Sequence, residues 1–93
     1  MQNTFEYKRC SEILKMAGIE EAILFAKRNI GIFRLAAHMR KRTHGRADPV
    51  RARYLQSAAI YRQILRRKLL TEREQSIRDS EPNHRSIFGD LMP

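Results

Sequence analysis

Ninety-three residues, 42% of them hydrophobic and 31% charged, make one small domain with a thin core. That is too apolar for a wholly disordered chain, and no apolar run approaches the roughly 18 residues a membrane span needs. The formal net charge of +9 is concentrated: residues 22–70 hold thirteen Arg or Lys and one acid, Asp48, whereas the two flanks together hold six bases and nine acids.

The opening "MQNTFEYKRC" lacks the charged-then-apolar order of a signal peptide, and the lone Cys10 excludes an intrachain disulfide. The expectation is a soluble cytoplasmic protein, or one of the nucleoid or nucleus if DNA is its partner. Cys10 stands beside Ile13 and Leu14 and reads as a buried structural thiol.

Asn3 or Thr4 caps a first helix over about 4–17, with Glu6 in the capping-box position after Asn3 and Gly18 as C-cap. A second helix runs over about 19–29, with Glu20 and Glu21 in its first turn and Lys27 and Arg28 in its last, as the helix dipole favours. Its apolar face is Ala22, Ile23, Phe25 and Ala26, and Asn29 or Gly31 is expected to break or bend it.

A third helix is predicted over about 32–43. Ile32, Leu35, Ala36 and Met39 share one side and are expected to face the core, with Arg34, His38, Lys41 and Arg42 on the other. "THGRAD" is a turn, closed by Asp48 as N-cap and Pro49 in the first helical turn.

The fourth helix, about 49–70, follows the steps of three and four between Val50, Tyr54, Ala58, Tyr61, Leu65 and Leu69. Arg62, Arg66, Arg67 and Lys68 crowd its end, a placement the dipole partly explains. "TEREQSIRDSEP" restarts or extends it, with Thr71 and Glu74 as a second capping-box pair. The fold class is therefore all-α: a small bundle of three main helices plus one or two short ones in a single domain, 1–80, followed by an irregular tail, 81–93. Exposed parts of the second and fourth helices could make a homodimer.

The candidate polyanion site is Arg34, His38, Arg40, Lys41, Arg42, Arg46, Arg51 and Arg53, continuous if the third and fourth helices fold back as a hairpin. From Arg28 to Arg62, both included, stand eight arginines and one lysine, Lys41. The planar guanidinium donates in bidentate fashion to phosphate or carboxylate, geometry that solubility does not require.

"FAKRNIGIFRLAAHMRKR" loosely resembles a helix-turn-helix, with Ala26 on the first helix, Gly31 at the turn and a basic second helix that would enter a major groove. It departs from that pattern in a turn one residue too long and in Arg40, which stands where a buried apolar residue belongs. Tyr54 and Tyr61 fall on the apolar stripe and read as core rather than as platforms for bases.

His38, His44 and His84 with Cys10 lack zinc-ligand spacing, and no carboxylate pair, nucleophile elbow or phosphate loop is present. No enzymatic activity, metal or cofactor is expected. In the tail, Ile87, Phe88, Leu91 and Met92 either strap back onto the bundle or dock in a partner's groove.

These features point to a small, regulatory nucleic-acid-binding protein. The rival is a protein-binding regulator or inhibitor whose cationic face docks an acidic partner, with the tail as a second contact. Peripheral attachment to anionic lipid ranks third, for want of a large aromatic anchor.

Overall fold

Thr4 starts the first helix. In the computed structural model, which describes residues 3–79, its Oγ1 accepts from the Tyr7 backbone N–H at 3.2 Å. The helix, α1, spans Phe5–Ala17. Glu6 is not spent on a capping box with Asn3 but accepts from Ser57 Oγ at 3.0 Å, tying α1 to a later helix. Gly18, at φ 94°, donates its N–H to Leu14 O at 3.0 Å and lets the next helix begin at once.

That next helix, α2, is continuous over Ile19–His44, ~39 Å long at 1.5 Å per residue. The expected break at Asn29 or Gly31 does not occur. Asn29 Nδ2 donates to Phe25 O at 2.8 Å, four residues back along the same helix. Gly31 costs roughly 1 kcal/mol against Ala in a helix interior, too little to end one anchored on both sides. The two helices read separately in the sequence are one, and the helix-turn-helix resemblance, which needs a turn at Gly31, falls with the break.

A single helix has a single phase. Ala22 and Ala26 are fully buried, and the same side passes through Phe33 and Ala37, seven and eleven residues beyond Ala26. Ile32, Leu35 and Met39 are therefore not core residues: they are 59%, 61% and 60% exposed, and Ala36 is only half-buried. Read as an isolated helix, residues 32–43 could take any phase, and their larger apolar side chains suggested the wrong one.

Gly45, at φ 85°, closes α2. Asp48 caps α3, Pro49–Arg66, with Pro49 at its start as expected. α3 returns antiparallel along α2 through aromatic contacts. Phe33 meets Tyr54 with ring centroids 5.9 Å apart and stacks on Tyr61 at 6.1 Å, and Phe25 meets Tyr61 edge-on at 5.9 Å. The two tyrosines are packing residues, as their position on the stripe predicts.

α3 stops at Arg66, short of the expected residue 70, because Lys68 is left-handed at φ 54°. α4 then spans Leu69–Asp79, starting two residues before the Thr71–Glu74 pair that was expected to cap it.

The described residues are all helix and turn, an all-α bundle. Its buried cluster is Tyr7, Cys10, Leu14, Ala22, Ala26, Tyr61, Ile64 and Leu70. All of these lie in α1, in α4, in the first half of α2 or in the second half of α3. Four helices thus share a base, while the rest of the α2–α3 hairpin projects as a two-helix arm. In the arm and at its root the buried residues are small or polar: Ala37, Ala58 and Asp48. The radius of gyration, 18.1 Å, exceeds the roughly 12 Å of a compact chain this long.

Candidate nucleic-acid interface

The arm's tip is built around Asp48. Its Oδ2 accepts the Arg51 backbone N–H at 3.1 Å, the N-cap bond of α3. The same carboxylate takes both arms of the Arg40 fork, Nε to Oδ2 at 2.7 Å and Nη2 to Oδ1 at 3.0 Å. Arg40 reaches it because residues 33, 37 and 40 share the inner side of α2. The Asp48 side chain is 6% exposed and that of Arg40 31%.

The Arg40 hydrogen bonds, helped by the backbone N–H groups of Arg51 and Val50, hold the Asp48 carboxyl down to about 2 against partial burial. Its carboxylate in turn raises the Arg40 guanidinium. Arg40 is thus a structural clasp between helices and not a free cation of the site, a correction to the sequence reading.

Asp48 is the sole acid of residues 22–70, and the clasp uses it. Among the described residues the other salt bridges, Arg9–Glu12 and Arg78–Glu74, lie outside that segment. Arg34, His38, Lys41, Arg42, Arg46 and Arg53 are exposed. Arg51 is half-buried, its Nη1 donating to Arg46 O at 3.3 Å.

Helical geometry sorts these cations. In an antiparallel pair of right-handed helices, the residue that follows each inward-facing residue turns to the same flank. Arg34 and Lys41 follow Phe33 and Arg40 on α2. Arg51 and Arg62 follow Val50 and Tyr61 on α3. One flank of the hairpin therefore carries Arg34, Lys41, Arg51 and Arg62, with Arg46 in the turn at its end.

Arg62 belongs to this flank by its place after Tyr61, although the sequence by itself groups it with the crowd of cations at the helix end. His38 and Arg42 point to the outer side of α2. Arg53, which precedes Tyr54, belongs to the opposite flank, beside a cavity lined by Phe33, Val50, Tyr54 and Ser57. The continuous eight-residue patch expected from sequence is thus divided, with four of its members on or ending one flank.

Ile87, Phe88, Leu91 and Met92 lie outside the described residues. Cys10 is fully buried in the base, where desolvation, with the Glu6 charge nearby, pushes its thiol up to about 11. Among the described residues no three His, Cys, Asp or Glu side chains come together as a metal site, and no helix is long and apolar enough to cross a membrane. No protein-family model matches this chain, and no curated protein or solved structure does so either.

Proposed function

We propose that the arm is a polyanion-binding element and that the protein is a small nucleic-acid-binding regulator. It would grip phosphates with Arg34, Lys41, Arg46, Arg51 and Arg62. The observation that carries this reading is the fate of Asp48: the one acid of residues 22–70 is already bound within the fold by Arg40 and the α3 N-cap. Among the described residues no carboxylate pairs with the cations of the flank, which leaves their charge to neutralise phosphates and release their counterions.

The ring contacts of the arm favour one kind of recognition. Phe33 and Tyr54 face each other between the helices, so among the described residues the cationic flank offers no free aromatic on which bases could stack. Phosphate contact rather than base reading is the mode the flank supports.

Titration with labelled duplex DNA, single-stranded DNA and RNA at 50 and 200 mM salt tests this. About five phosphate contacts on duplex predict a loss of between two and three decades in affinity over that range. The preferred ligand of the three names the target. Absence of binding to any of them at 50 mM would turn the flank over to an acidic protein partner.

A further inference from the structure

α2 is apolar on two sides, and its core explains only one. On the outer side Ile32, Leu35 and Met39 are each about 60% exposed, with Leu24 at 42% one turn before Arg28. From Arg28 onward one line of outer residues, beside Gly31 and His38, is Arg28, Ile32, Leu35, Met39 and Arg42, at steps of four, three, four and three. That is the 3.5-residue period of a coiled-coil seam: three apolar knobs between two arginines. After Glu21, α2 has no acid to pair with either arginine.

The seam is narrow. Its apolar residues span less than a quarter of the helix circumference at 100° per residue, and Arg28 lies within that arc. A helix lying in a lipid interface presents a broad apolar face with large side chains at its centre, which this is not.

Nor does the seam suit a second copy of itself. Antiparallel pairing centred on Leu35 sets Arg28 against Arg42 of the other copy, since both stand seven residues from the centre. Parallel pairing sets each arginine against its own equivalent. Either way like charges meet at both ends of a net +9 molecule.

We infer that the outer seam of α2, Ile32, Leu35 and Met39 bounded by Arg28 and Arg42, is a docking site for an amphipathic helix of another protein with carboxylates opposite the two arginines. The site is separate from the basic flank and does not depend on what the flank binds.

The probes are two synthetic three-heptad peptides with leucine at both seam positions. They differ in carrying Glu or Lys opposite Arg28 and Arg42. The full chain binds the Glu peptide one-to-one and about tenfold tighter than the Lys peptide. Arg28→Glu with Arg42→Glu reverses the preference, and Leu35→Glu abolishes binding of both while melting temperature and nucleic-acid affinity stay unchanged. The reversal is a readout that mere surface adhesion would not give.

Equal binding of the two peptides, or none, overturns the inference. So does a dimer in sedimentation that Leu35→Glu dissolves, which would make the occupant a second copy. Flotation with phosphatidylserine vesicles that Leu35→Glu abolishes would make it a lipid surface.

Discussion

Arg40 and Asp48, eight residues apart across the hairpin turn, share a two-point hydrogen bond of 2.7 and 3.0 Å, and the same carboxylate caps α3. One side chain thus fixes both the crossing of the helices and the start of the second. Because its folded-state pKa is held at about 2, below the ordinary 3.8, the carboxylate's contribution is complete above about pH 4 and is lost as pH falls toward 2. The difference in melting temperature between the native chain and Asp48→Asn, followed from pH 7 to pH 2, should shrink across that window. Asp48→Ala, which also removes the cap, should melt lower than Asp48→Asn at pH 7.

The division of cations between flanks gives a sharper test than removing them all. Arg34→Ala, Lys41→Ala and Arg46→Ala together should lower the slope of log affinity against log salt on duplex DNA by about 2.7, with the helical circular dichroism unchanged. Arg53→Ala, on the other flank, should leave affinity within about twofold. If Arg53→Ala weakens binding as much as a flank residue does, the ligand runs over the tip of the arm instead.

Gly31 lies in the middle of an unbroken helix, and a Cβ built there meets nothing within 4 Å. Gly31→Ala should therefore stabilise the chain by about 0.5–1 kcal/mol in thermal or urea unfolding. Gly45→Ala should do the reverse, because φ 85° is a conformation alanine avoids. A loss of stability in Gly31→Ala would mean that α2 bends there after all.

Cys10 is enclosed by the base, and burial pushes its thiol to about 11. At pH 8 it should resist a disulfide reagent until denaturant is added. Cys10→Ser, which puts an unpartnered hydroxyl in the same place, should destabilise by roughly 1–3 kcal/mol.

The residues that act through local chemistry were legible in the sequence. Asp48–Pro49 announces a helix start, Gly18 a helix end, and Tyr54 and Tyr61 a packing stripe, because each depends on a few neighbours. What was illegible depends on phase carried over distance. Gly31 is a breaker only if nothing on either side holds the helix, and Ala22 and Ala26 fix the rotation of residues a dozen positions later. The size of Ile32, Leu35 and Met39 argues for the core, whereas the inner side at that level is made of Phe33 and Ala37. Arg40 looked misplaced in the helix-turn-helix pattern; it faces inward, where Asp48 waits for it.

The contacts of the arm include the small buried Ala37 and Ala58, the Phe33–Tyr54 rings and the Arg40–Asp48 clasp, while the large fully buried side chains sit in the base. Protection against amide hydrogen exchange should therefore be graded along the hairpin, weakest near the turn and strongest beside Ile64. On that gradient the cationic segment would loosen and re-form many times within the lifetime of one folded base. A polyanion laid along the flank would suppress that breathing, and the turn-proximal amides would report its arrival before any change in the global melting temperature.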